Sequence, residues 1–195
     1  MKAFLGCLLT IVAVCTSCGY HFSNVDRPAR RALTVPYIKG DLDGRLTSHV
    51  IEALTTSSRW RYTQGEAEYI LEAEILKNFN DYIGYQYDHL ESGALIDRLV
   101  PNEGRKTILV KIGILKSATQ EVVYGPYEIG GSSDYDFVNS DTYTDMSFID
   151  SKGVPHSVLA FSLGQLDAEQ DARRVTLQGA YKEIAQKIAV GLDNL

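Results

Sequence analysis

The sequence predicts an α+β fold, a two-layer sandwich in which two helices pack on one face of a largely antiparallel four-stranded sheet. Two segments alternate apolar and polar residues with a period of two, which is typical of strands that have one covered and one wet face. Two other segments repeat apolar residues at spacings of three and four, as amphipathic helices do. The predicted order is strand, helix, three strands, long loop and helix, without an internal repeat.

Residues Leu33–Lys39 are predicted as a short first strand, and Pro36 places it at a sheet edge because proline lacks a backbone N–H. A helix is predicted from about Leu42 to Ser57, preceded by the cap-capable carboxylates of Asp41 and Asp43. Its apolar stripe consists of Leu42, Leu46, Val50, Ala53 and Leu54.

The second predicted strand, Glu66–Phe79, has the clearest alternation in the chain. Glutamates lie mainly on one face, which predicts that this face is wet. The other face carries Ala67, Tyr69, Leu71, Ala73, Ile75 and Phe79. The same alternation can be followed through Ile83, Tyr85 and Tyr87, so a longer strand is also compatible with the pattern.

A polar connection is predicted over Asp88–Gly104, and a third strand over Lys106–Lys116. A hairpin-sized turn then leads to a fourth strand, Glu121–Ile129, which Pro126 weakens. One face of the third strand carries the apolar side chains Ile108, Val110, Ile112 and Ile114.

Residues Gly130–Val154 are rich in Gly, Ser, Asp and Tyr and are predicted as an extended loop. The apolar run Val158–Leu163 fits a strand or a helix equally. The final helix is predicted from about Asp167 onward, with an apolar stripe of Leu177, Tyr181, Ile184 and Ile188. We expect the sheet side chains Leu71, Ala73, Ile75, Val110 and Ile112 to pack under the helix side chains Leu46, Val50, Leu54, Tyr181, Ile184 and Ile188.

The N-terminus has the pattern of a secretory signal peptide. A single charge at Lys2 precedes an apolar run from Ala3 to Val14, and small residues follow. The run is shorter than the roughly 20 residues that a spanning helix needs. We therefore predict a signal peptide over residues 1–17, a lipidated N-terminus and linker over residues 18–32, and one domain over residues 33–195.

Cys18 stands directly after these small residues, and this arrangement resembles the bacterial lipobox, although Cys15 occupies a position where leucine is usual. Cys7 and Cys15 would leave with the signal, so the mature chain would keep one cysteine and could not close an internal disulfide. A diacylglyceryl group and an N-acyl chain on Cys18 would hold the protein on a membrane without spanning it. The alternative is an ordinary secreted protein cut near Ser17.

The charge and the motifs exclude several classes of function. Removing Lys2 leaves 18 basic and 25 acidic residues, a net charge of −7, which argues against nonspecific nucleic-acid binding. The sequence contains no phosphate-binding loop, nucleophile elbow or zinc motif, so we predict neither an enzyme nor a metal or cofactor site. The acidic stretch Asp134–Asp141 lacks the ligand order of a calcium loop, and a solvated loop is favoured.

A set of cations in or beside the third strand suits phosphate groups: Arg98, Arg105, Lys106 and Lys111. They are the candidate ligand-binding residues. The alternative, which the sequence favours, is a solvated face that balances the glutamates of the second strand.

Three segments resemble the lipopolysaccharide-assembly lipoproteins of the LptE type. They are the opening Cys18–Phe22, the strand Ala67–Ile75, and the closing helix with Asp171–Arg174 and Ala180–Ala185. The chain departs from the family in its long segments 88–104 and 130–154.

The resemblance implies a non-enzymatic protein anchored by fatty acyl chains in the inner leaflet of the outer membrane. Such proteins plug and support an LptD-type β-barrel translocon and contact lipopolysaccharide during its assembly. Gly19 after the cysteine, rather than Asp, resembles the signal that permits outer-membrane sorting. Two alternatives remain: a lipid-anchored periplasmic binding module for another envelope partner, and an anchored hydrolase that uses scattered Asp and His residues.

Overall fold

The computed structural model describes residues 29–90, 92–139, 142, 146–157 and 169–195. The predicted signal peptide, Cys18, most of the linker and the run Val158–Leu163 lie outside these residues. The helices are α1 (Arg45–Thr55) and α2 (Glu169–Asp193). The strands are β1 (Arg31–Thr34), β2 (Trp60–Tyr62), β3 (Tyr69–His89), β4 (Leu95–Lys116), β5 (Val122–Asp136), β6 (Ser147–Ile149) and β7 (Pro155–Ser157).

The main sheet has five strands in the order β2-β1-β3-β4-β5, so the predicted number of four is wrong. β1 is parallel to both of its neighbours, whereas the β3–β4 and β4–β5 pairs are antiparallel. The missed strand is β2, whose three residues are too few to show an alternation. β6 and β7 form a separate two-stranded hairpin.

Two segments predicted as connections are largely strands. β4 begins at Leu95, inside the predicted connection, and β5 continues through the Gly/Ser-rich stretch to Asp136. In that stretch Gly131 pairs with Ile108 and Ser133 with Lys106. Residues with poor strand propensity adopt a strand here because a paired neighbour and a covering helix support them. The result is a ribbon, the β3–β4 hairpin, with arms of 21 and 22 residues.

The core lies between the helices and one face of the sheet. Side chains from α1, α2 and this face form one buried cluster, as the spacing predicted. The cluster contains Leu46, Val50, Leu54, Leu71, Ala73, Val110, Ile112, Tyr181, Ile184 and Ile188, with Ile75 packed against it. The predicted two-layer α+β packing is therefore confirmed. No helix among the described residues is long and apolar enough to cross a membrane.

A bulge in β3 reverses the alternation of its side chains. The pairing shifts between Ile75 and Lys77, so Leu76 is an extra residue. Beyond it Asn78 pairs with Ile108 and lies on the helix side, whereas Phe79 is exposed on the other side. The prediction that Phe79 shares a face with Ile75 is therefore wrong, because one inserted residue moves every later side chain to the opposite face.

The first turn of α1 is fixed by a buried carboxylate. The Oδ2 atom of Asp41 accepts hydrogen bonds from the backbone N–H of Thr47 at 2.8 Å and from its hydroxyl at 2.7 Å. This satisfies one of the free donors of the helix N-terminus. The helix begins at Arg45 rather than at the predicted Leu42, whose side chain is exposed.

The C-terminal turn of α2 is tied to the connection between α1 and β2. The indole N–H of Trp60 donates to the carbonyl oxygen of Leu192 at 2.9 Å. The carboxylate of Asp193 accepts from the hydroxyl of Ser57 at 2.5 Å and from the backbone N–H of Ser58 at 3.1 Å. Residues far apart in sequence therefore close this end of the core together.

Candidate functional site

The face of the sheet turned away from the helices, here called the open face, carries two rows of alternating charge across three strands. In the first row Lys111 of β4 pairs with Glu74 of β3 on one side and with Glu128 of β5 on the other. All three side chains are exposed. Lys111 therefore has a carboxylate in register on each neighbouring strand, where opposite charges attract.

The second row has the same order, with Arg105 between Asp81 and Asp134. Two guanidinium nitrogens of Arg105 donate to the two carboxylate oxygens of Asp134, at 2.6 and 2.8 Å. These hydrogen bonds raise the pKa of Arg105 and lower the pKa of Asp134. Lys111 lies six residues after Arg105 on β4, which places the two rows about 20 Å apart.

Lys106 lies on the opposite face, under the N-terminal half of α2. Its side chain is buried, with 8% of the residue exposed, and among the described residues it has no carboxylate partner. Desolvation lowers the pKa of Lys106, and the nearby positive charge of Arg173 lowers it further. Arg173 itself is paired with Glu169 and donates to the hydroxyl of Tyr135 at 3.1 Å.

Arg98 lies in the distal ribbon, the part of the β3–β4 hairpin in which residues 84–89 pair with residues 95–103. Its guanidinium is 3.4 Å from the carboxylate of Asp88, which is buried. The four candidate cations therefore do not converge on one point: Arg105 and Lys111 share the open face, Lys106 lies on the helix side, and Arg98 belongs to the distal ribbon. Their arrangement on the open face matches the alternative of charges that balance neighbouring carboxylates.

The distal ribbon presents a surface that sequence reasoning missed. Tyr85 pairs with Pro101 and Tyr87 pairs with Leu99, which places these side chains on one face. Tyr85, Tyr87 and Leu99 are each more than half exposed. The alternation through Tyr87 is visible in the sequence, but the connection predicted over Asp88–Gly104 offers no strand to pair with it.

No three His, Cys, Asp or Glu side chains of the described ranges come together as metal ligands. Asp134, the first residue of the acidic stretch considered for calcium, is held by Arg105, and residues 140 and 141 of that stretch lie outside the description.

The sequence matches no protein-family model and no curated protein. Similar solved structures include a candidate lipoprotein from Caulobacter crescentus CB15, with 15% identity, 83% of this chain and 88% of that chain covered, and a TM-score of 0.48. The rare lipoprotein B from Shewanella oneidensis has 13% identity, coverages of 84% and 94%, and a TM-score of 0.44. The uncharacterised lipoprotein B from Nitrosomonas europaea has 14% identity, coverages of 84% and 84%, and a TM-score of 0.39. At these identities and TM-scores the chain is assigned to no family.

Proposed function

We propose that this protein is an outer-membrane lipoprotein that plugs and supports a β-barrel translocon of the LptD type and assists lipopolysaccharide assembly. The observation that carries the proposal is the long ribbon with its exposed face of Tyr85, Tyr87 and Leu99, on a chain whose Cys18 stands in a lipobox-like sequence. Large exposed aromatic and aliphatic side chains on one face are typical of a surface that contacts a partner.

The placement of the chain ends supports this role. β1 runs parallel to β3, so the chain enters the sheet at the end opposite the ribbon tip. The 20 steps from Tyr69 to His89 carry the tip about 66 Å from that end. The 13 residue-to-residue steps from Cys18 to Arg31 can span up to about 45 Å. A lipid anchor at Cys18 therefore leaves the ribbon free to enter a barrel, and the charged open face suits a polar lumen.

Lipid attachment is tested by replacing Cys18 with alanine. We expect the Cys18→Ala protein to lose fatty-acid labelling and to leave the membrane fraction, because the thiol is the point of attachment. The wild type should be labelled, should fractionate with the outer membrane, and should carry a β-barrel protein through detergent extraction. A wild type that brings a different envelope protein instead would support the alternative of a periplasmic binding module. Unchanged labelling of Cys18→Ala would contradict the anchor.

We also propose that the open-face cations Arg105 and Lys111 contact the phosphates of lipid A, and Lys106 is tested beside them because it is buried under α2. Replacing Arg105, Lys106 and Lys111 together by alanine should weaken lipopolysaccharide binding, because charge-assisted bonds to phosphate are worth about 1.5–3 kcal/mol each. Exposed ion pairs contribute only about 0–1 kcal/mol to stability, so the two open-face substitutions should leave folding nearly unchanged.

The control separates the two faces. The pair Arg105→Ala/Lys111→Ala removes only open-face charges, and Lys106→Ala removes only the charge under α2. We expect the open-face pair to account for most of the loss in a direct binding assay, and the loss to shrink as salt rises. A triple variant that folds and binds as well as the wild type would return these residues to the role of a charge-balanced surface.

A further inference from the structure

One stretch of β3 has an outer edge that no strand of the described residues covers. β1 pairs with β3 only at Tyr69 and Ile70, and Lys39 extends this contact as far as Ile75. From Asn78 to Tyr82 the described residues place no strand on that side. These residues are ordered by β4 on the inner side, so their outer side is a preformed template for strand pairing.

The direction of the backbone groups follows from the bonds on both sides of the bulge. Lys39 bonds to the N–H of Ile75 and to the carbonyl of Ala73, so these residues direct their groups outward. Outward and inward residues alternate along a strand, and the extra Leu76 shifts the alternation by one. The outward N–H and C=O groups after the bulge therefore belong to Asn78, Asn80 and Tyr82, here called the free edge.

The other two edges of the main sheet are protected. β2 has only three residues. On the outer side of β5, Lys187 of α2 donates to the carbonyl of Gly130 at 2.7 Å, and Glu183 accepts the N–H of Ser132 at 2.6 Å. Pro126, which has no N–H, lies in the remaining part of β5. Short strands, charged side chains and proline are devices that prevent edge pairing. By contrast, the stretch from Asn78 to Tyr82 has no proline and only one charged residue, Asp81.

We propose that the free edge binds an extended segment of a partner protein by β-strand addition. The side chains set the chemistry of that segment. Asn78 and Asn80 lie on the helix side and Phe79 lies on the open face. A segment that alternates polar and apolar residues would place its polar side chains beside the two asparagines and an apolar side chain beside Phe79. The inference goes beyond the proposed function, because it does not require the partner to be a barrel.

A second copy of this chain fits the edge poorly. The regular stretch between the bulges at Leu76 and Ile83 has six residues, about 20 Å long. Pairing it with itself would bury on the order of 400 Å², given a sheet thickness of about 10 Å, and a stable interface buries roughly 1,200–2,000 Å². A flexible segment that belongs to a larger interface fits better.

Amide hydrogen exchange of the mature protein in detergent tests the inference. The probe is a blocked ten-residue peptide of alternating threonine and valine, and the matched control is the same peptide N-methylated at every second residue. We expect saturating probe to slow exchange at Asn78, Asn80 and Tyr82 by about tenfold or more, while Lys77, Phe79 and Asp81, already bonded to β4, stay unchanged. Equal effects of both peptides, or none at the three outward amides, would overturn the inference.

Asn80→Pro removes one outward N–H without removing a bond to β4, and Asn80→Ala keeps that N–H. Protection of Asn78 and Tyr82 by the probe should disappear in the proline variant and persist in the alanine variant. If the proline variant does not fold, the comparison of the two peptides still decides. Protection that grows with protein concentration alone would assign the edge to a second copy and contradict the proposal.

The complex extracted from cells separates this inference from the proposed function. Protection of the three amides by a partner other than a barrel would support strand addition and contradict the plug. A bound barrel that leaves the three amides unprotected would support the plug and contradict strand addition.

Discussion

Replacing Ile184 by alanine should lower the free energy of unfolding by about 2–5 kcal/mol. Ile184 is fully buried between α2 and the sheet, and it lies directly over Gly131 of β5. The lost side chain would leave a cavity that the helix cannot close, because α2 is also held at its C-terminal end by Trp60. Denaturant unfolding followed by circular dichroism measures the difference.

Val190→Ala is the matched control, since Val190 lies on the same helix but is 62% exposed. Its effect should stay within about 0.5 kcal/mol. Losses of similar size in the two variants would mean that α2 does not pack on the sheet through the face described here.

Replacing Gly131 by valine should destabilise the protein by about 3 kcal/mol, at the upper end of overpacking effects. A Cβ atom at this position would lie 2.6 Å from the backbone oxygen of Ala180 and 2.5 Å from Cγ1 of Ile184. A side chain can rotate away from such a contact, but the backbone oxygen of a helix cannot. The helix must therefore move off β5, which separates the two layers.

Gly191→Ala provides the contrast, because an added Cβ at Gly191 would meet nothing within 4 Å. In a helix interior alanine is favoured over glycine by about 0.5–1 kcal/mol, so this variant should unfold at higher denaturant than the wild type. Both variants are measured by the same denaturant titration. A Gly131→Val protein as stable as the wild type would show that the close approach of α2 to β5 is absent in solution.

The layers and the core could be predicted from the sequence because they follow from periodicity. Leu71, Ala73 and Ile75 repeat every second residue, and Tyr181, Ile184 and Ile188 repeat at helical spacing. The bulge at Leu76 could not be predicted, since nothing in the composition of that segment marks an extra residue. The predicted fourth strand ends at Ile129 because glycine and serine have low strand propensity, which the pairing with β4 and the covering helix override.

The candidate cations also show which parts of a site a sequence can predict and which it cannot. Arg105 and Lys106 are adjacent in sequence, yet consecutive residues of a strand point to opposite faces. This separation was visible in the sequence, because Lys106 continues the series of Ile108 and Val110. The acidic neighbours of Arg105 and Lys111 were not visible, since register across three strands is not encoded in the order of residues along one of them.

The bond from Trp60 to Leu192 has a consequence for how this chain is made. The indole N–H and the segment Ser57–Ser58 donate to Leu192 and Asp193, in the last turn of α2. A chain still emerging from a ribosome or a secretion channel therefore keeps one end of its core open until Leu192 and Asp193 have emerged. A product that stops before α2 leaves the indole of Trp60 without this bond and one side of the core uncovered, so it is open to the proteases that remove unfolded chains.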